Sequence, residues 1–291
     1  MTIPASSRDY TFRNYLAYAL YAPLYLTGPI LTFNDYISQL RYRPHSIEIN
    51  RTVRYALRFL LCLLCMELIL HFVYVGAISS SLPVWDSYTP AQLSLLSFQN
   101  LIIIWLKLLL PWRFFRLWSL TDGIDPPENM VRCVTNNFST LSFWRGWHRS
   151  YNKWLIRYIW IPLGGASFAT LYSSLRSIAG YLIIFTFVAL WHDIKLRLLI
   201  WAWLIVLFIV PEVLARVVVT KKSLGGNETR YRMVCCLGAV ANTLMMMAAN
   251  LVGFAFGLDG LQSILSGIFH DFSGKFTPPH STADFYASSS G

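Results

Sequence analysis

Long apolar runs separated by short polar segments, mostly basic, dominate this chain and predict a bundle of membrane-crossing helices. Residues 12–33 are long enough to cross a bilayer, but Pro23, Gly28 and Pro29 interrupt them, so a kinked or broken helix sheltered by protein is expected there. Residues 55–76 form a second span and residues 91–110 a third, with Pro111 and Trp112 marking its exit. Residues 154–168 are apolar but short, and Pro162, Gly164 and Gly165 break them, the pattern of a re-entrant or partly inserted segment. Residues 178–191 supply about fourteen apolar positions, fewer than the roughly twenty a perpendicular helix needs, so this helix is expected to end within the membrane. Residues 196–219 and 234–258 are two further spans, and residues 261–269 are a short apolar remnant. No internal repeat is evident, so a transporter built from paired repeats gains no support.

Composition agrees with this pattern. Of 291 residues, 55% are hydrophobic and only 13% charged, with a mean hydropathy of +0.47. Soluble proteins carry about 25% charged residues, and half that leaves too few charges to keep so many Leu, Ile, Trp and Phe side chains wetted. The formal charge of +10 would suggest nucleic acid for a soluble chain, but its distribution argues against such a partner. Residues 76–106 contain no Lys or Arg, whereas residues 41–58, 107–157 and 216–232 are rich in them. That alternation is the positive-inside pattern, which puts the loop 78–90 in the lumen and the basic segments in the cytosol. The sequons at Asn137 and Asn227 then fall on the cytosolic side and are expected to stay unglycosylated.

Five cysteines, an odd number with four inside apolar runs, do not suggest a disulfide framework. Cys62 and Cys65 form a lone C-x-x-C with no second pair or nearby histidine, so they read as packing residues and no metal site is expected. Residues 1–9 are polar and the first apolar run lacks a small-residue cleavage site, so no cleavable signal peptide is expected. Residues 1–272 read as one membrane-embedded helical domain and residues 273–291 as a disordered Ser, Pro and Gly tail.

Two segments put ionisable groups into an apolar, aromatic setting. Residues 143–165 carry Trp144, Arg145, Trp147, His148, Arg149, Lys153, Trp154 and Arg157; residues 185–193 end in Leu190, Trp191, His192 and Asp193. A histidine closing a short apolar helix is costly unless it has a partner or a task. His192 is therefore either a base able to accept a proton or a structural histidine satisfied by a backbone carbonyl. His148, among tryptophans and arginines, reads equally as an interfacial aromatic-belt residue. Glu67 and His71, one helical turn apart in an apolar run, either snorkel or pair internally; together with Glu212 in another apolar run and the broken helices they also suit a transport path.

Residues 143–165 resemble the F-W-x-x-W-H…W-L…Y-I-x-I-P-L-G-G block of the membrane-bound O-acyltransferase (MBOAT) superfamily, and Leu190-Trp191-His192 resembles its L-W-H block. The resemblance extends weakly over residues 18–212. Residues 22–35 and 191–194 look most like the fungal glycerol-uptake branch, which remodels the lipids of GPI anchors. Asp193 departs from the glycine that follows the histidine in bacterial relatives.

The resemblance implies an all-α, polytopic bundle of MBOAT type whose relatives are larger, so that the amino-terminal spans of the usual fold are expected to be missing. It implies transfer of a long-chain acyl group from acyl-coenzyme A to a hydroxyl, with His192 as the essential base and His148 as the second polar group of the site. No tightly bound cofactor is implied; acyl-coenzyme A is the donor substrate. Arg145, Arg149, Lys153 and Arg157, on the cytosolic side, would meet its phosphates, or else serve as topology and headgroup contacts. The expected partners are acyl-coenzyme A, a membrane lipid or GPI-anchor acceptor and the bilayer, and the expected location is the endoplasmic reticulum membrane. A non-enzymatic transporter and an inactive remnant are the competing expectations.

Overall fold

The computed structural model describes residues 5–80, 88–165, 170–254 and 261–262. The expected tail at 273–291, nearly all of the remnant at 261–269 and residues 81–87 of the expected lumenal loop lie outside them. Among the described residues the secondary structure is helical, with a bridge between Met130 and Trp147 in place of any sheet. The helices are α1 (Phe12–Ala19), α2 (Ala22–Tyr25), α3 (Phe33–Arg41), α4 (Ile49–Phe72), α5 (Val75–Ser80), α6 (Pro90–Thr121), α7 (Thr140–Gly146), α8 (Arg149–Leu155), α9 (Leu171–His192), α10 (Leu196–Val218) and α11 (Glu228–Phe254).

Four of these, α6, α9, α10 and α11, are long and apolar enough to cross a membrane, and only 17–39% of their apolar windows is buried against protein. Side chains such as Leu182, Leu207 and Leu237 are exposed, and so much uncovered apolar surface is stable only in lipid. The chain is thus a multi-pass membrane protein of all-helical architecture.

Two packing units meet at α6. In one, α10 lies between α9 and α11: Trp201, Ile205 and Ile209, spaced four apart on one face of α10, are almost wholly buried against Phe185, Val188 and Ala189 of α9 and Ala249 of α11. Close approach there depends on Gly253, where a Cβ would lie 2.7 Å from the Trp201 ring. In the other, α4 packs on α6 through Met66, Leu106 and Leu109.

Several boundaries differ from those read off the apolar runs. Residues 12–33 are broken as expected, but into α1 and α2, neither of which is long enough to cross. The helix of the third span does not end at Pro111: α6 continues to Thr121, where Phe114, Phe115 and Trp118 make ring contacts with one another. The helix expected at 178–191 begins seven residues earlier, at Leu171, and reaches spanning length. Its polar start is still helical because Thr170 and Ser173 form a reciprocal capping box and Arg176 donates to the Gly164 carbonyl at 3.2 Å. Residues 154–165, the described part of the segment expected at 154–168, form no span; residues 166–168 lie outside the described residues. α8 runs into a π turn (Ile156–Trp160) that closes at Gly164 and Gly165, both in the left-handed region (φ +91° and +64°).

Candidate active site

His148 sits in the break between α7 and α8, and among the described residues it is the non-glycine residue with positive φ, at 43°. A left-handed conformation costs a β-carbon-bearing residue roughly 1–3 kcal/mol and persists only where its surroundings impose it. Here they do so from three sides. The segment 129–131 pairs with the break: Arg149 N–H donates to the Asn129 carbonyl (3.1 Å), Ser150 N–H to Asn129 Oδ1 (3.1 Å) and Val131 N–H to the Gly146 carbonyl (3.3 Å). The His148 ring stacks on Trp112 of α6, centroids 4.5 Å apart, and on Tyr151 at 5.1 Å. Ser150 in turn accepts from the Ile30 N–H (2.9 Å), docking the broken amino-terminal segment against α8.

Helix α7 is held in the bundle by Glu212 of α10. That buried carboxylate accepts from the Ser139 hydroxyl (2.5 Å) and the Leu141 N–H (3.2 Å) and pairs with Arg216 (2.6 Å). Glu212 therefore anchors an element of the site. Glu67 and His71 are exposed, and neither lines the cavity described below.

His192 is the last residue of α9. Asp193 is extended and ends the helix, with its carboxylate accepting from Ile194 N–H (2.8 Å) and pairing with Lys195 (2.6 Å). Because residues 193–197 are exposed, the imidazole is more accessible than a helix end deep in the protein would make it. An aromatic wall holds it: Trp191 at 5.1 Å, Trp201 at 5.7 Å and Phe254 at 5.6 Å between ring centroids. Trp201 is itself fixed by Asn250, whose Oδ1 accepts from the indole N–H at 3.3 Å.

The two histidines, 44 positions apart in the chain, come together. Both contact Trp191, His148 at 6.1 Å, and both line one cavity of about 640 Å³. Such a volume lies in the range of ligand sites, roughly 300–1,000 Å³. Its walls are largely apolar, drawn from residues 24–30, α6, α9, α10 and α11. Burial pushes the His148 imidazole down from its ordinary 6.5 to about 4, and the neighbouring His192 acts in the same direction. His148 is thus neutral near pH 7, able to donate from one ring nitrogen and accept at the other.

Of the four predicted cations, Arg145 lines the cavity; Arg149, Lys153 and Arg157 are not among its lining residues. Cys62 accepts from Arg113 (2.8 Å) and Cys65 is exposed, and among the described residues no cluster of His, Cys, Asp or Glu could hold a metal.

Residues that the linear reading missed are Asn129, Trp112 and a charged knot at the end of α6. In the knot, buried Arg116 pairs with Asp125 (2.7 Å) and Glu128 (3.4 Å) and lies 4.8 Å over the Tyr55 ring, while Arg51 also pairs with Asp125 (2.8 Å). The knot fixes the segment 124–130 that leads to Asn129. Charge in a membrane-flanking loop is the ordinary topology signal, so nothing local marks these residues.

A lipid-facing helical bundle enclosing a mostly apolar cavity with two imidazoles in its wall defines an integral membrane protein with an internal cavity. The chain belongs to the MBOAT, membrane-bound O-acyltransferase family, whose model matches residues 3–258. It is 55% identical over 271 residues to the membrane-bound O-acyltransferase GUP1 of Millerozyma farinosa (92% of this chain, 52% of that protein) and 51% identical over 281 residues to GUP1 of Saccharomyces cerevisiae (96% and 48%). It is also 30% identical over 205 residues to the mouse protein-cysteine N-palmitoyltransferase HHAT (69% and 40%). The chain spans about half the length of the curated relatives it matches.

Proposed function

We propose that this chain moves a long-chain acyl group from acyl-coenzyme A to a hydroxyl of a membrane lipid, a lyso-GPI anchor being the acceptor class, in the endoplasmic reticulum membrane. The observation that carries the reading is the meeting of His148 and His192 at one apolar cavity inside a lipid-facing bundle. Holding an acyl chain there avoids exposing it to water, which costs about 0.8 kcal/mol per methylene, or on the order of 12 kcal/mol for sixteen carbons.

In the reaction His192 accepts the proton of the acceptor hydroxyl as its oxygen attacks the thioester carbon. The new C–O ester bond forms and the C–S bond breaks. Coenzyme A leaves as its thiolate and takes up the proton that His192 received. His148, neutral and fixed by its neighbours, donates to the carbonyl oxygen as charge develops on it, or orients the acceptor. The thiolate leaves readily, so no acyl-enzyme is needed. Arg145 faces the cavity and suits a phosphate of the donor or of the acceptor headgroup; Arg149, Lys153 and Arg157, on α8 and the following π turn, would meet coenzyme A phosphates outside it.

Resemblance to a relative named for N-palmitoylation of protein cysteine supports a second reading, in which the acceptor is an amino group. The test follows labelled palmitoyl-coenzyme A in microsomes carrying the wild-type chain or His192→Ala, with lyso-lipid and peptide acceptors in parallel. Label reaching the lyso-lipid with the wild type and not with His192→Ala is expected; equal transfer by both would remove the proposed base.

A further inference from the structure

We propose that Asn129 is the positioning residue for His148, its carboxamide oxygen and backbone carbonyl together holding the strained turn that turns the imidazole to the cavity. The inference rests on the reading above, in which His148 belongs to the reacting site, and extends it to a residue outside the two motif blocks.

His148 occupies the N-cap position of α8, yet its own side chain caps nothing. An uncapped helix start leaves backbone N–H groups without acceptors. Asn129, twenty-one positions before Ser150, fills that role from outside the helix. Its backbone oxygen accepts from Arg149 N–H and its Oδ1 from Ser150 N–H, both at 3.1 Å. Asn129 is 1% exposed and Ser150 2%, so water does not compete for these bonds. The neighbouring Met130–Trp147 bridge keeps the two strands of chain in register. With the first turn of α8 tied down, the φ of +43° at His148 is maintained and the ring stays between Trp112 and Tyr151.

One detail separates a positioning role from mere burial. Asn129 Nδ2 is buried with no hydrogen-bond partner in the structure, so the side chain contributes through its oxygen alone. Aspartate keeps that oxygen in place, alanine removes it, and glutamine keeps the amide but shifts it by a methylene. A general packing role would rank these variants by volume; the capping role ranks them by where the acceptor oxygen lies.

The experiment uses the full chain in microsomes for kinetics and in detergent for labelling. Asn129→Ala and Asn129→Gln are expected to lower kcat about tenfold or more, since a misplacement near 1 Å costs on the order of a hundredfold, while KM for palmitoyl-coenzyme A stays within about twofold. Asn129→Asp is expected to restore kcat to within about threefold of wild type. A wild-type kcat in Asn129→Ala, or an aspartate variant as slow as alanine, overturns the proposal.

A second measurement needs no turnover. The rate at which diethyl pyrocarbonate modifies each histidine is read by mass spectrometry on protein that elutes as a folded monodisperse species. Asn129→Ala or Asn129→Gln should speed modification of His148 about fivefold, the scale of one lost buried hydrogen bond, and leave His192 within about twofold. Unchanged labelling of His148 overturns the proposal even where the wild type transfers no acyl group, an outcome that would count separately against the proposed function.

Discussion

At the scale of single residues, the site depends on two imidazoles held by aromatic rings. His148 has a folded-state pKa of about 4 against an ordinary 6.5. Between those values the unfolded chain binds a proton that the folded chain refuses, so folding stability is fully present above pH 6.5 and declines as pH falls toward 4. Thermal unfolding in detergent should therefore show a melting temperature that drops across this window, and His148→Asn should flatten that part of the profile. Asp125 titrates in a separate window. Burial alone would raise it, but hydrogen bonds from Ser46 and Arg51 and the charge of Arg116 outweigh burial and hold the carboxyl below its ordinary 3.8. Its contribution is present above 3.8 and is lost only in stronger acid. Arg145→Gln should raise KM for the phosphate-bearing substrate about tenfold, the scale of a charge-assisted hydrogen bond, with little change in kcat; an unchanged KM for both donor and acceptor would remove Arg145 from the site.

At the scale of elements, short helices are placed by long ones. Helix α7 has seven residues, too few to persist alone, and its entry is tied to α10 through Glu212. Replacing Glu212 with Leu leaves the Ser139 hydroxyl and the Leu141 N–H without their buried acceptor, and should destabilise the protein by about 2–3 kcal/mol, measured by denaturant unfolding in micelles. Gly253→Val on α11 pushes a side chain into the Trp201 ring, a Cβ alone coming within 2.7 Å. Overpacking of this kind costs about 1–3 kcal/mol. Because Trp201 also forms the wall beside His192, acyl transfer should fall further in this variant than its loss of stability explains. Elements are most legible in the chain where the apolar run is long, as in α10, and least so at helix starts. The start of α9 was missed because Tyr172, Ser173 and Ser174 look like loop residues until Thr170 and Ser173 cap each other.

At the scale of the whole molecule, the alternation of basic and uncharged segments makes an orientation testable. With Lys222→Cys in the exposed turn after α10 and Tyr88→Cys before α6, each in a background lacking the five native cysteines, an impermeant maleimide should label the first in sealed cytosol-out microsomes and the second only after permeabilisation. Labelling of both without permeabilisation would contradict the positive-inside orientation. The same scale explains why the cavity is mostly apolar. Residues 24–30 and four spanning helices converge on it, each contributing the face that is not turned to lipid.

Amino-acid order alone determined that the chain is helical and lies in a membrane, because hydrophobicity over about twenty residues is a local quantity that lipid reads directly. It also singled out His148, His192 and the group Arg145, Arg149, Lys153 and Arg157, since ionisable groups in aromatic, apolar runs stand out without any fold; which of the four cations lines the cavity it did not tell. Tertiary structure decided what those groups face. Trp112, expected at a membrane exit, became the ring under His148; Glu212, open to a transport reading, became the anchor of α7; and Asn129, unremarkable in its loop, became the cap of α8. Each depends on hydrogen bonds or ring contacts between positions 20 to 73 residues apart. Such pairings are set by how helices pack, and no local pattern of residues encodes them.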